Sequence, residues 1–164
     1  MKASRHGGLR LFGRTRVDNR TRKIDALRRG LRTGEVVICN FDTGFRPPEM
    51  AKTRPVIVIS KASTHIRGLC TIVPLSTTCP APLFPWHVLL SSNPLLGHMP
   101  ADHTFCTDQP IWAKCDMIIT LGFERITRPH RRVEGRRDYP AVRVASDDLA
   151  AVFDGVRAYL PGGR

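Results

Sequence analysis

Three short runs dominated by Val and Ile, set apart by segments rich in Gly and Pro, limit this chain more than any other feature. They span residues 35–41, 55–60 and 68–75. β-Branched side chains suit a pleated, half-buried surface, so each run reads as a strand. Pro55 has no N–H to give a ladder and belongs at a strand start or on an edge. Between the first two runs, residues 44–52 hold a glycine, two prolines and several charges, which makes a turn-rich loop. That loop carries Arg46, Glu49 and Lys52 and leads on to Arg54. The third run ends in the hydroxyls of Ser76 and Thr77.

Downstream, residues 86–91 form a fourth strand after the Pro-rich loop 79–85. Residues 92–110 show no sustained period and read as loop. Residues 111–120 and 122–126 read as a fifth and a short sixth strand, followed by an Arg-rich loop. Residues 147–160 are a helix, with Ser146 as N-cap and two Asp in the first turn, where the helix dipole favours them. Leu149, Val152, Phe153, Val156 and Leu160 give it an apolar stripe. The fold expected is therefore mainly β with a C-terminal helix, and six short strands suggest a small, strongly bent barrel.

A chain of 164 residues is one domain by default and buries a core without disulfides or metals. Its net charge of +12 is unevenly spread. Residues 1–33 hold eleven Lys/Arg and two Asp, hence +9, whereas residues 34–164 carry only +3. The first 33 residues read as a basic leader, disordered over 1–16, with a short helix over 18–31 that Asp18 or Asn19 caps and Ile24, Leu27 and Leu31 stripe. Residues 34–164 read as the domain. A second basic cluster, Arg125 to Arg143, has seven arginines against Glu134 and Asp138. Phosphate contact is the functional reading of both clusters. The plainer one is solvated tail and loop, and Pro129, Gly135 and Pro140 favour a mobile loop for the second.

Five cysteines without a C-x-x-C spacing argue against zinc. Cys39, Cys70 and Cys115 sit in apolar runs and read as buried thiols, while Cys79 and Cys106 fall in loops. The leader lacks the apolar core of a secretory signal, and no run approaches a membrane span. A reducing cytoplasm and no membrane partner are the expectation.

Five blocks in order carry a resemblance: Gly34-Glu35-Val36, Glu49 five residues before Arg54, Arg54-Pro55-Val56-Ile57-Val58-Ile59-Ser60, Val73-Pro74-Leu75-Ser76-Thr77, and Lys114-Cys115-Asp116. Over residues 34–160 the chain resembles the MazF/PemK (Kid) family of bacterial toxin ribonucleases. The resemblance implies an SH3-like barrel, usually a homodimer, and metal-independent cleavage of single-stranded RNA with no cofactor. It also implies restraint by a cognate antitoxin. In the family the substrate's 2′-OH attacks phosphorus, leaving a 2′,3′-cyclic phosphate and a 5′-OH. The reaction needs a base, stabilisation of a dianionic phosphorane and an acid.

The resemblance gives Arg54 the phosphorane, which a guanidinium grips through two oxygens. Ser76 stands where the family carries a catalytic threonine, and Thr77 can take that part instead. Glu49 and Asp116 both match family acids and both are candidates for the base. Lys114 replaces an arginine that acts as acid and phosphate binder, keeping the charge but not the fork. Alternation along the fifth strand puts Lys114 and Asp116 on one face with Trp112. Trp86 matches an aromatic near the RNA bases, where stacking suits unpaired bases. His87 can move a proton near neutral pH. Arg46 and Lys52 join the RNA-binding set, and no histidine grouping reads as a metal site. Each residue also has an inert reading: a surface ion pair for Arg54 with Glu49, strand-end hydroxyls for Ser76 and Thr77, and core packing for Trp86 and His87. A non-catalytic nucleic-acid- or peptide-binding barrel is the alternative to the enzyme, and a related fold that poisons a DNA topoisomerase is the third.

Overall fold

The computed structural model describes residues 19–100, 103–105 and 108–162. The disorder expected over 1–16, a cap at Asp18 and the loop position of Cys106 lie outside the described residues. Strands β1 (Glu35–Cys39), β2 (Arg54–Val58) and β3 (Leu69–Ser76) form an antiparallel centre, as their Val/Ile content requires. Pro55 sits one residue inside the start of β2. β3 is long enough to serve two partners besides β2. Its first half pairs with β6 (Ile119–Gly122), and its last residues pair with β5 (Trp112–Lys114). β4 (His87–Leu89) extends the sheet beyond β5. On the far side of β1 lie β7 (Ile126–Thr127) and β10 (Val142–Arg143). β8 (Arg131–Val133) and β9 (Arg136–Asp138) form a separate hairpin.

The main sheet has eight strands, in the order β10-β1-β2-β3-β5-β4, with β6 also on β3 and β7 also on β1. The segment from β6 to β7 turns through a 3₁₀ helix, Phe123–Arg125, and so passes from beside β3 to beside β1. Among the described residues no strand closes the sheet into a barrel, and the SH3-like description is approximate.

Alternation sorts the central side chains onto two faces. Val37, Cys39, Val56, Val58, Cys70 and Ile72 point into the bend and meet Phe41, Leu121 and Phe123. Val36, Ile57, Val73 and Leu75 point the other way, towards Val152 and Val156 of helix α2 (Ser146–Tyr159). Both faces are therefore covered, which explains why β1 and β2 read as continuous apolar runs. Helix α1 (Asn19–Gly30) packs Ile24 and Leu27 on the inner core, and Leu31 beyond it is fully buried. The end of the basic leader thus belongs to the packed body.

Four expectations need correction. The fifth strand is broken after Lys114 by a 3₁₀ turn, Cys115–Met117, because buried Cys115 turns inward to meet the carbonyl of Val152 on α2 at 3.5 Å. The sixth is replaced by the Phe123–Arg125 turn and the short β7, since Phe123 must enter the inner core. The Arg-rich loop contains the β8–β9 hairpin. Ser146 is the first helical residue and Ala145 the N-cap, with no side-chain cap bond. The helix is anchored instead by Asp148, which accepts the N–H and hydroxyl of Ser91 at 2.9 and 2.8 Å.

Candidate active site

The site is built where the inner face of the sheet runs past the apolar core. Arg54 opens β2 and faces Cys39. β2 and β3 pair Val56 with Pro74. Continued by two residues, that register sets Arg54 opposite Ser76. Ser76 faces Trp112 on β5, and two residues on, Lys114 faces His87 on β4. Cross-strand partners and neighbours two apart share a face. Arg54, Ser76, Trp112, Lys114 and His87 therefore lie on one face, drawn from four strands.

Strand alternation does not place Asp116, because it lies in the 3₁₀ turn. The turn nevertheless brings it to the same place. Lys114, Asp116, His87, Trp86 and Tyr159 line one cavity of about 460 Å³. Asp116 also lines a cavity of about 210 Å³ with Glu49, Phe45 and Met50. It stands where the two cavities meet, so the two candidate bases share a cavity.

Their surroundings differ. The Glu49 carboxylate accepts the backbone N–H of Arg46 at 2.8 Å and so braces its own exposed loop. Asp116 Oδ2 lies 3.5 Å from Nε2 of His87. The N–H of Phe84 donates to His87 Nδ1 at 3.2 Å, which leaves the ring proton of neutral His87 on Nε2, facing Asp116. Asp116 Oδ1 is buried and has no hydrogen-bonding partner among the described residues. The same holds for Arg54 Nε. Leaving such groups unpaired costs about 1–3 kcal/mol each, and native structures keep them where function uses them.

Ser76 is only 2% exposed, and its Oγ accepts the N–H of Thr78 at 3.1 Å. Thr77 beside it is half-buried. Trp86 is half-buried, packs against the outer core and carries Phe84 stacked on it at 4.8 Å. Tyr159 meets it edge-on at 5.8 Å. Arg46 and Lys52 are exposed in the 44–52 loop and line neither cavity.

Sequence reading missed Phe84, Tyr159 and Arg125. Tyr159 continues the spacing of Val152 and Val156 along α2, a signal that was available. Arg125 donates to the Thr43 carbonyl at 2.7 Å and lies 5.1 Å over the Phe45 ring, so it pins the loop that carries Glu49. Nothing in its neighbourhood in sequence announces that contact.

The expected buried thiols are found: Cys39, Cys70 and Cys115 are all buried. Burial pushes each up to about 12, helped at Cys115 by the Asp116 charge. They are inert thiols, not nucleophiles. Among the described residues no three His, Cys, Asp or Glu side chains gather as a metal ion would need. No helix among them is long and apolar enough to cross a membrane.

Two solved structures share the fold. MazF (Form-I) from Deinococcus radiodurans is 20% identical, covers 77% of this chain and 92% of its own, and has a TM-score of 0.51. An endoribonuclease from Mycobacterial species is 16% identical over 80% of this chain and 93% of that one, with a TM-score of 0.50. The chain matches no curated protein sequence. The family model described as PemK-like, MazF-like toxin of type II toxin-antitoxin system matches residues 32–150. With most of its length covered by that match, and with the sheet and helix that its strands predict, the chain belongs to the PemK-like, MazF-like toxin family of type II toxin–antitoxin systems.

Proposed function

We propose that this chain is a toxin endoribonuclease that cuts single-stranded RNA without a metal ion, through attack of the substrate's own 2′-OH. The observation that carries the reading is the pair of unpartnered polar atoms, Arg54 Nε and Asp116 Oδ1, the first on the strand face that Lys114 shares and the second in the cavity that Lys114 lines. A phosphate oxygen supplies the acceptor that Arg54 lacks, and a 2′-OH supplies the donor that Asp116 lacks.

In this reading Asp116 Oδ1 takes the 2′-OH proton while the 2′ oxygen bonds to phosphorus. His87 holds the other carboxylate oxygen through its Nε2–H and is a positioning residue. Arg54 and Lys114 face the charge that builds on the phosphorane. The bond from phosphorus to the 5′ oxygen then breaks, and Lys114 gives that oxygen its proton. The products are a 2′,3′-cyclic phosphate and a 5′-OH. The part expected of Ser76 divides in two. Its covered hydroxyl sets the strand end by taking the Thr78 N–H, and the half-buried Thr77 offers a hydroxyl to the phosphate. Trp86 and Phe84 give unpaired bases a surface to stack on. The assembly proposed is a homodimer, and its antagonist is an antitoxin whose acidic chain suits this basic surface.

The test is incubation of the purified protein with mixed single-stranded RNA in excess EDTA. Cleavage by the parent, with loss in Arg54→Ala, is the expected result. Activity that appears only on adding magnesium or manganese would overturn the mechanism.

A further inference from the structure

The seven arginines from Arg125 to Arg143 fall into two groups. Arg125 pins the loop described above. Arg128 and Arg143 both reach the buried carboxylate of Glu35, at 3.1 and 3.6 Å. Arg131 donates to Asp138 at 3.2 Å and to the Gly97 carbonyl at 2.9 Å, which ties the hairpin to the body. These four have structural work. Arg132, Arg136 and Arg137 do not: all three are exposed, and none pairs with a carboxylate among the described residues.

All three sit on the β8–β9 hairpin. Glu134 and Gly135 form its two-residue turn, both with positive φ (49° and 77°), the geometry that matches the strand twist. Arg132 faces Arg137 directly across the ladder. Like charges in that position are destabilising, so the hairpin is built against its own electrostatics. The main sheet does not need it. Ile38 faces Thr127 and Val36 faces Val142, so two steps along β1 match fifteen along the returning chain. The hairpin is an insertion into a strand that otherwise runs on beside β1.

We infer that the β8–β9 hairpin is an arm that grips the phosphate backbone of single-stranded RNA outside the cleavage site. A polyanion relieves the Arg132–Arg137 repulsion. By alternation those two arginines share one face of the ribbon with the His130–Tyr139 ring pair at its base, whose centroids lie 5.5 Å apart, while Arg136 is on the other face beside exposed Val133. A phosphate backbone takes the guanidinium forks, and an unpaired base can stack on the exposed Tyr139 ring beside them, so a single strand uses both features of this face. The inference rests on RNA as the substrate. It adds that a long RNA is held at two places and a short one only at the site.

The experiment compares the full chain with its Arg132→Gln/Arg136→Gln/Arg137→Gln variant. The probe is a 2′-O-methyl RNA of about 30 nucleotides, longer than the ~4–16 that one small barrel covers. Affinity is read by fluorescence anisotropy over a salt series. The variant should bind more weakly, and its plot of log affinity against log salt should be shallower by about 2, at ~0.7 per phosphate contact on a single strand. The corresponding triple Lys variant should keep the parental slope. Cleavage of an unmodified RNA of about 6 nucleotides, too short to span arm and site, should be unchanged in the Gln variant. If neither protein cuts that short RNA, the ribonuclease reading fails, while the salt slopes still decide the arm. Equal slopes and affinities for parent and Gln variant would overturn the inference. So would a variant that loses affinity for a polyglutamate peptide but keeps it for RNA, since the arm would then serve an acidic protein.

Discussion

Asp116 and Glu49 share a cavity but not their partners. Glu49 spends its carboxylate on the Arg46 N–H within an exposed loop. Asp116 keeps one oxygen unpaired and buried, with the other directed at His87. Asp116→Asn should therefore slow single-turnover cleavage by about 10²- to 10⁴-fold, the range for a positioned proton-transfer group, while Glu49→Gln should cost far less. Equal losses in the two variants would reassign the base. Residue-scale legibility was uneven for physical reasons. Arg54, Lys114 and Asp116 were readable as candidates because charged side chains stand out beside apolar runs. The relation between Lys114 and Asp116 was read from strand alternation, yet the backbone turns between them. They line the same cavity because Cys115 is drawn under α2. The contact of Phe84 with His87 runs through a backbone N–H, which leaves no trace in the identity of a side chain.

At the scale of elements, α2 sets the depth of the site. Gly155 lets the helix lie close to β4 and the Cys115–Met117 turn: a Cβ there would stand 2.8 Å from Cys115 Sγ and 2.9 Å from Val88 Cγ2. Both neighbours adjoin site residues, His87 and Asp116. Gly155→Ala should cost about 1–3 kcal/mol in urea unfolding, as overpacking does, and should slow cleavage although it touches no substrate. A variant as stable and as active as its parent would show that the helix carries no such constraint. The three central strands and α2 were legible because β-branched runs and helical spacing are strong local signals. The broken fifth strand was not, since 111–120 is mostly apolar, its Lys114 and Asp116 fit strand alternation, and only a tertiary contact at Cys115 interrupts it. The β8–β9 hairpin was hidden by its prolines and arginines, although Glu134-Gly135 is a competent two-residue turn.

At the scale of the whole molecule, composition separated leader from body at residue 33 on charge alone. Packing draws the line elsewhere, since Ile24, Leu27 and Leu31 complete the inner core. The family was legible because five short blocks recur in order; Arg54, Ser76 and Lys114 come to one face of the sheet, while Gly34-Glu35-Val36 lies at the other end of β1, beside β10. The proposed chemistry uses two cations and one carboxylate with an unpaired oxygen, and the buried thiols are too basic to attack. In the proposed reaction the enzyme lends no covalent group, and the nucleophile is the 2′-OH of the RNA. The most direct test is a short RNA carrying a single 2′-deoxy nucleotide immediately 5′ of the cut, with single-turnover rates, affinity and product ends measured beside the all-ribose strand. The account predicts that cleavage of the deoxy strand is abolished and its binding nearly unchanged, with a 2′,3′-cyclic phosphate and a 5′-OH from the ribose strand. Cleavage of the deoxy strand at a comparable rate, or products ending in a 3′-hydroxyl and a 5′-phosphate, would contradict it.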